Sequence, residues 1–438
     1  MPNGSPMLIS DTEISGVLKT VYSGYREKVF PISTPLLANV KKGGPGGLRN
    51  MRWGGAGVNF NAVLSRPVGL VASANGYFGK HAQAQEKQGT MDIKRVYVTR
   101  EIDGLAIVGT QSKEAAYIAL AKKILDEAKD AATLGMQEIL HGDGRGIKAL
   151  VGTRTSDTVY ICDSPYGIAS AGQGGLGLDQ GMYIAILDTS AADAVLGRAI
   201  ISSVANSGDN CTITLATAIT GVAAADKIVL CTASDTAFNA NPNGLTNILN
   251  RGAAYDSLHS LAATTYPRWD STRLVAGTDT PDAAQPTEQD IWELMARVAG
   301  RSGFDAKMKP SDFLLMTTPG IEKKLADQYF GQRRLTQDDF VQIKGGFKAI
   351  TICGVPLISD FWCPAGVVYL LHKNSLTWIT AKDFGQIEYE SAGAFRFISG
   401  QDAYQVNWGE YMNFGTVNRL AHGMISGYTD TARYTHVV

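Results

Sequence analysis

Two β-prone stretches followed by one long amphipathic helix constrain this chain more than any other feature. The stretches are Val58–Val71 and Met91–Val108, and a connection rich in Gly, Gln and Lys, Ala72–Thr90, separates them. The helix begins near Ser112 and ends at the sequence HGDGRG, which starts at His141. A two-stranded arm of this length cannot support itself in water and needs another surface to lie on. The order therefore indicates a chain that reaches onto its neighbours, and it is not typical of a pocket enzyme.

The helix is predicted from the spacing of its apolar residues. Ser112 is a suitable N-cap, and Glu114 lies in the first turn, where the helix dipole favours a carboxylate. Residues spaced by three and four form one face that we expect to be buried. This face comprises Leu120, Ile124, Leu125, Ala128, Ala132 and Met136. Gly142 and Gly144 stop the helix, so that Lys113–Leu140 would span about 40 Å. A long core helix of an α+β enzyme is the alternative interpretation.

Charge is distributed unevenly along the 438 residues. Residues 1–100 carry 13 Lys and Arg against 5 Asp and Glu, whereas the whole chain has a net charge of −1. A basic arm on an acidic body can bind nucleic acid or another copy of that body, and we favour self-association because the basic residues are not clustered. A merely solvated arm is the alternative. The inter-subunit contact candidates are Lys19, Arg26, Lys28, Lys41, Lys42, Arg49, Arg52, Arg66, Tyr77, Phe78, Lys80 and Lys87.

Composition excludes several classes of protein. Hydrophobic residues make up 45% and charged residues 18%, so the chain is not disordered and is long enough for two or three domains. The five cysteines have no CxxC spacing, which favours a reducing compartment. No apolar run approaches 18 residues, and no signal peptide is apparent, so we expect no membrane contact.

Motifs for catalysis are missing from the sequence. The six histidines lack zinc-ligand spacing, and there is no GxSxG or HExxH. The HGDGRG segment follows a helix, whereas a phosphate-binding loop follows a strand and opens a helix. Glu388 and Glu390 share one strand face, which a solvated edge explains more simply. We therefore predict no catalytic, cofactor-binding or metal-binding residues and no cofactor.

The segment from Thr153 to Asn239 differs from the rest because it has few charges and many short β patterns separated by Gly and Asn turns. We predict an antiparallel β domain inserted into a mixed fold, with its two ends close together. The expected core of this domain consists of Ile184, Ile186, Ile200, Val204, Ile213, Leu215, Ile228 and Leu230.

The whole order resembles the major capsid proteins of tailed bacteriophages, which share the Hong Kong phage capsid fold. The segment LHGDGRG, Leu140 to Gly146, is similar to the turn that closes the long "spine" helix in that family. Lys348 to Trp378 is similar to its pattern of a G-x-P strand, a Pro/Gly turn and a further strand. The resemblance implies an α+β fold with an N-terminal arm, an extended β loop, a spine helix in a peripheral domain and an α/β axial domain, to which this chain adds the inserted β domain.

The expected divisions follow from this resemblance. They are an arm (1–57), an extended loop (58–104), a peripheral domain with the spine helix (105–152), the inserted domain (153–239), an axial domain (240–380) and return strands of the peripheral domain with the tail (381–438).

The resemblance also implies a function: a structural subunit without enzymatic activity, forming hexamers and pentamers of an icosahedral shell around double-stranded DNA. The chain would be assembled in the bacterial cytoplasm, reside in the virion capsid and contact the packaged DNA non-specifically. No long helical scaffolding segment precedes the arm, so a separate scaffolding protein is expected, together with a portal and a decoration protein as further candidates. Some relatives cross-link a loop lysine to an asparagine; Lys80, Lys87 and Asn413 have suitable positions, but nothing indicates the required geometry. The alternatives are a cellular nanocompartment shell of the same fold and a soluble α+β enzyme.

Overall fold

The computed structural model describes residues 35–40, 42–43, 51–53, 57–65, 84–104, 114–168, 174–207, 210–232, 234–250, 255–330, 340–342, 348–387, 396–398 and 400–430. The helices in these ranges are α1 (Pro35–Asn39), α2 (Glu114–His141), α3 (Leu245–Leu249), α4 (Glu288–Ser302) and α5 (Pro319–Phe330). Short 3-10 helices are Pro165–Gly167, Pro267–Trp269, Pro310–Asp312 and Arg419–Ala421. This mixture confirms the α+β class.

Strands account for more of the described residues than helices do. The strands of the first half are β1 (Lys42–Gly43), β2 (Met51–Trp53), β3 (Gly57–Val63), β4 (Glu86–Asp92), β5 (Lys94–Asp103), β6 (Ile147–Arg154), β7 (Val159–Asp163), β8 (Tyr183–Asp188), β9 (Ala194–Ser207), β10 (Asn210–Leu215) and β11 (Lys227–Leu230). Those of the second half are β12 (Ser257–Leu258), β13 (Leu261–Ala262), β14 (Thr272–Val275), β15 (Phe313–Thr317), β16 (Phe340–Gln342), β17 (Lys348–Ile352), β18 (Val355–Ser359), β19 (Val368–His372), β20 (Leu376–Gln386), β21 (Arg396–Phe397), β22 (Ala403–Thr416) and β23 (Gly423–Ser426).

The main sheet has seven strands in the order β14-β23-β19-β15-β18-β17-β16. Alternate residues of its central strand β15 enter two different hydrophobic clusters. Phe313 and Leu315 pack under α4 and α5, whereas Leu314 and Met316 pack with α3 and with Leu140 at the end of α2. Because both faces of this sheet are covered, its central strands are continuous apolar runs.

Helix α4 has well-defined ends. The hydroxyl of Thr287 accepts a hydrogen bond from the backbone N–H of Asp290, whose carboxylate accepts one from the N–H of Thr287, which is a capping box. Gly303 ends the helix in a left-handed conformation, with φ of 75°. The buried face, Ile291, Leu294, Met295 and Val298, covers one side of the main sheet. The opposite face of α4 is left at the surface.

The peripheral sheet is built on β22. On one side β22 pairs with β5, so that Ala403 lies opposite Asp103 and Met412 lies opposite Lys94. On the other side β22 pairs with β20 and β21. The spine helix α2 contacts β5 and spans Glu114–His141, within one residue of the predicted Lys113–Leu140. The sequence pattern assigned residues 94–103 to the extended loop; they belong instead to this sheet, because a partner strand three hundred residues away pairs with them along their whole length.

The described part of the extended loop is an antiparallel hairpin of β3 and β4, paired from Gly57–Asp92 to Val63–Glu86. Its base packs on the body of the same chain. Val58, Phe60 and Met91 enter a cluster with Trp269. We expected the loop, Val58–Asp103, to lie across a neighbouring subunit and not on its own body. Its base packs on its own body instead, because these apolar residues join a core of the same chain.

The inserted segment is a closed six-stranded barrel in the order β10-β7-β6-β11-β8-β9. Its first strand, Ile147–Arg154, begins immediately after the turn that ends the spine helix, whereas the sequence pattern placed the start at Thr153. The ends of the barrel lie side by side: the backbone N–H of Asn239 donates to the carbonyl of Arg145 at 2.9 Å. Closure leaves the barrel without edge strands.

The barrel core follows the predicted list except at one strand. Ile184, Ile186, Val204, Ile213, Leu215 and Ile228 are buried in it, and Leu230 packs against it. Ile200 is half-buried, and Ile201 takes its place in the core. A register shift opposite Thr214 and Leu215 is the cause, because it reverses the side to which alternate residues of β9 point.

The last described strand, β23, lies in the main sheet. β22 ends at Thr416, a short turn follows, and β23 pairs with β14 and β19. The pattern assigned residues 381–438 to return strands of the peripheral domain and a C-terminal tail; within that range β23 belongs to the main sheet, because the turn at 418–422 redirects it. In the described residues no helix is both long and apolar enough to cross a membrane.

Candidate functional site: the junction at the end of the spine helix

Most of the predicted contact residues of the arm and loop lie outside the described residues. These are Lys19, Arg26, Lys28, Lys41, Arg49, Arg66, Tyr77, Phe78 and Lys80. For Lys42 and Arg52 the backbone is described: Lys42 pairs with Trp378 in the peripheral sheet, and Arg52 pairs with Asn59 in the hairpin sheet. Lys87 is exposed on β4.

The predicted core face of the spine helix is described in its second half. Ala128 and Met136 are buried, and Ala132 is half-buried. Leu120, Ile124 and Leu125 lie in the helix, with side chains outside the described set.

The predicted helix stop is the centre of a polar junction. The N–H of Gly142 donates to the carbonyls of Glu138 and Ile139, both at 3.1 Å, which closes the last turn. Gly144 has φ of 81°, and a side chain there would meet the amide of Asn243. Glycine is required at this position for both reasons.

The turn is locked from within by Asp143. Its carboxylate accepts hydrogen bonds from the backbone N–H of Arg145 at 2.9 Å and from its Nε at 2.5 Å. Arg145 Nη2 in turn donates to the hydroxyl of Tyr255 at 2.9 Å. Burial raises the pKa of the Asp143 carboxyl, and the adjacent guanidinium opposes that rise. The Gly-Asp-Gly turn thus fixes the barrel entrance to the main body.

A buried ion pair joins the spine helix to the barrel. Lys148 Nζ, on β6, donates to Glu138 Oε2 at 2.5 Å, and both side chains are less than a tenth exposed. Burial raises the pKa of Glu138, an effect that Lys148 opposes. Two charges removed from water in this way are stable only as a pair.

A second buried carboxylate joins the spine helix to the main sheet. Asp360, just after β18, lies 3.0 Å from His141 Nε2 through its Oδ2, which also accepts from the side-chain amide of Gln137. Its other oxygen accepts from the backbone N–H of Trp362 at 3.0 Å. The last turn of the spine helix is therefore fixed on two sides.

Arg419 is the largest fully buried side chain in the described residues. Its Nε donates to the carbonyl of Ile248 at 2.7 Å, and its Nη2 donates to those of Asn250 and Tyr255, both at 3.0 Å. Longer contacts reach the carbonyls of Asn247 and Trp269. Three of these carbonyls belong to the C-terminal end of α3, where the helix leaves acceptors unpaired.

Two buried histidines lie nearby in neutral form. His422 accepts at Nδ1 from the backbone N–H of His372 at 3.1 Å, and its Nε2 lies 2.9 Å from the Thr416 hydroxyl. His259 accepts at Nε2 from the backbone N–H of Thr416 at 3.3 Å. Burial lowers the pKa of both His259 and His422 to about 3; the charge of Arg419 adds to this for His259 and that of His372 for His422.

Most of these polar groups bond to one another, with Gln137 Oε1 and His141 Nδ1 buried without a hydrogen-bond partner, and together they leave little space for a substrate. The cavity beside the turn, between Glu138 and Lys148, has a volume of about 20 Å³, which is room for about one water molecule. In the described ranges no three His, Cys, Asp or Glu side chains are arranged to hold a metal ion. The chemistry of the junction is that of a rigid connection between three structural units.

Most of this junction has no recognisable motif in the sequence. Arg419 stands in a short polar turn where a solvated arginine is the ordinary expectation, and Glu138 and Lys148 flank the glycine turn without periodic relation. His372 and His422 are fifty residues apart. Only the Gly-Asp-Gly turn itself was visible as a motif.

Comparisons with known proteins support the fold. No family model matches the chain, and no curated protein matches it. Among solved structures, the cyanophage A-1(L) capsid asymmetric unit matches with a TM-score of 0.54 at 12% identity, covering 95% of this chain and 98% of that one. The capsid of Myoviridae phage XM1 matches with a TM-score of 0.44 at 8% identity, covering 97% of this chain and 99% of that one. The holo-SrpI encapsulin complex from Synechococcus elongatus matches with a TM-score of 0.41 at 10% identity, covering 99% of this chain and 100% of that one. The cyanophage match shows that the two chains share a fold from end to end.

Proposed function

We propose that this chain is the major capsid protein of a tailed bacteriophage, a structural subunit that assembles into an icosahedral shell around double-stranded DNA. The observation that carries the proposal is the coextensive match to the cyanophage capsid subunit, which covers 95% of this chain and 98% of that one. An enzyme that had merely borrowed a capsid domain would be matched over part of its length.

The internal bonding suits a shell subunit. The barrel and the main sheet meet at the end of the spine helix, where Glu138 bonds to Lys148 of the barrel and His141 bonds to Asp360 beside the main sheet. Asp143 holds the turn between them through its bond to Arg145. A rigid body limits the conformational entropy that is lost at each contact, so weak contacts repeated many times suffice for a closed shell. The extended hairpin and the basic arm provide reach beyond that body.

The partners follow from the same proposal. Copies of the chain form hexamers and pentamers, with the basic arm and loop, Lys19 to Lys87, on acidic surfaces of neighbouring copies. A separate scaffolding protein, a portal and a decoration protein complete the particle, and the packaged DNA is held without sequence preference. Assembly takes place in the cytoplasm of the bacterial host. The barrel projects from the outer surface, since DNA would crowd the inner one.

Sedimentation of the purified, concentrated chain tests the proposal. We expect particles of shell size in negative-stain micrographs, at the expense of monomers. Particle contents then separate the two shell functions: nuclease-protected DNA in particles from infected cells supports the capsid, whereas an enclosed enzyme would identify a nanocompartment. A chain that stays monomeric or forms only small oligomers, and that turns over a substrate, would contradict both.

A further inference from the structure

An open groove of about 330 Å³ runs along the edge of the main sheet, between β14 and the C-terminal half of α4. It is lined by Ser271, Thr272, Arg273, Arg297, Gly300 and Arg301, which we call the arginine groove. Three guanidinium groups in one groove make an anion site by composition alone, because each presents a planar fork of donors.

The hydrogen bonds of these arginines leave donors for a further partner. Arg301 Nη1 donates to the carbonyl of Ser271 at 3.0 Å and to the hydroxyl of Thr272 at 3.3 Å. Its Nε and Nη2 can therefore donate to a further partner. Arg273 Nη1 bonds to the side chain of Asn250 at 3.0 Å.

Only one of the three arginines is bonded to a carboxylate within the described residues. Arg297 donates to Glu293 at 2.6 Å, one turn away on the exposed face of α4. Such an exposed pair is worth about 0–1 kcal/mol, so Arg297 can exchange partners at little cost. The groove therefore keeps an excess of positive charge.

The opposite end of the same layer is acidic. The loop of residues 276–287, which joins β14 to α4, contains Asp279 and Asp282 and no Lys or Arg, and we call it the acidic loop. Both aspartates are exposed. Asp279 accepts from the backbone N–H of Val275 and Asp282 from that of Ala284, in each case through one oxygen, so the second oxygen is open to another donor. Glu288 adds a half-buried carboxylate in the first turn of α4.

The two charged patches cannot meet within one chain. β14 runs from the groove to the loop, and α4 runs back, so that Glu288 and Arg301 are about 20 Å apart along the helix axis at 1.5 Å per residue. Within the described chain, β14 is an edge strand of its sheet, which places both patches at a lateral border. Complementary patches at opposite ends of one border match a head-to-tail contact, and such a contact generates a ring when the rotation between successive copies closes.

We propose that the acidic loop of one copy docks into the arginine groove of the next and links main sheets head to tail around each ring of the shell. The inference rests on the proposed shell function and deepens it by naming the contact. Asp282 and its neighbours replace water as acceptors for Arg297 and Arg301. Because the charges face each other across a partly shielded groove, the contact fixes the register and the order of subunits.

Charge reversal tests the contact. R301E and D282R, made singly, should each lower the yield of closed particles at least roughly tenfold at physiological salt, because the weakened contact is repeated in every copy. The double variant R301E/D282R should restore the yield, because the pair is then reversed in every copy. R154E, on the barrel, is the matched control with the same charge change and should assemble like wild type. A cooperative thermal unfolding transition of the unassembled subunit shows that each variant is folded.

Cysteine pairing gives an independent measurement. Particles of D282C/R301C, oxidised with glutathione disulfide, should yield a ladder of linked subunits on a non-reducing gel; each new bond converts two thiols to a disulfide and releases two reduced glutathiones. Closure within one chain is excluded because a disulfide needs Cα atoms within about 7 Å. D282C and R301C alone should give no ladder.

The outcomes separate the two claims. If wild type forms shells and the single reversals assemble as well as wild type, or if the double variant is not restored, the docking contact is wrong and the shell function stands. If R301E reduces bound nucleic acid while D282R assembles normally, the groove holds phosphate and the contact is again wrong. If wild type forms no shell, the proposed function fails first.

Discussion

Replacing Arg419 with methionine should lower the free energy of unfolding by about 3–5 kcal/mol, the usual cost of breaking a buried charged network. The side chain is fully buried and bonds to carbonyls of α3, Tyr255 and Trp269. Methionine fills most of the volume, so packing changes little. The cost arises because backbone carbonyls cannot be removed together with their donor, and each unsatisfied buried acceptor costs about 1–3 kcal/mol.

Burial of the guanidinium offsets part of that cost. Desolvation lowers the pKa of Arg419, and Asp270 and Asp256 act in the opposite direction. Burying the charged guanidinium therefore costs the folded wild-type protein some free energy. The net loss is therefore well below the sum over five bonds. R419K should lower the free energy of unfolding less than R419M, because lysine keeps a charged donor. It should still lower it, because an ammonium group cannot reach the carbonyls as a planar fork does.

Calorimetry and urea unfolding of the unassembled subunit provide the assay. An unfolding entropy of about 2.1 cal/mol/K per residue gives roughly 0.9 kcal/mol/K for this chain, so R419M should lower the midpoint by about 3–5 °C. The matched control is R268M, which replaces an exposed arginine of the adjacent short helix and should change the unfolding midpoint little. If R419M is as stable as R268M, the account of Arg419 as the connector of these segments is refuted.

Further predictions concern pH, the buried ion pair and the barrel. The free energy of unfolding should be highest above pH 6.5 and should fall as the pH is lowered from 6.5 to 3, by up to about 1.4 kcal/mol per pH unit for each histidine. The cause is that the unfolded chain protonates His259 and His422 in this range while the folded chain does not. Urea unfolding midpoints measured across this pH range check the prediction. K148M should destabilise by about 3–5 kcal/mol by leaving Glu138 buried and unpaired, whereas the double variant K148M/E138L should recover most of that loss in the same urea assay. Replacing the barrel, residues 147–238, with a short Gly/Ser linker should leave the rest of the chain cooperatively folded in calorimetry, and loss of the whole transition would contradict this.

Elements defined by local periodicity were predictable from the sequence. The spine helix is set by its three-and-four spacing and by Gly142, and both bounds fall within one residue of expectation. The central strand Phe313–Thr317 is recognisable because burial on both faces requires a continuous apolar run. The capping box at Thr287 likewise follows from adjacent residues.

Features that depend on distant partners were not predictable. β5 carries the same alternating pattern as a loop strand, and only its pairing with β22 assigns it to the peripheral sheet. The register shift in β9 exchanges Ile200 for Ile201 without any glycine or proline to announce it. Arg419 and the arginine groove have no sequence signature, because one buried or clustered arginine looks like any other until the fold brings its acceptors or neighbours together.

Cryo-electron microscopy of particles assembled from the concentrated chain tests the central claim most directly. The account predicts hexameric and pentameric rings in closed shells, with the barrel on the outer surface and the acidic loop of each subunit against the arginine groove of the next. A uniform population of small oligomers without any such rings, at every concentration and salt tested, would contradict the account.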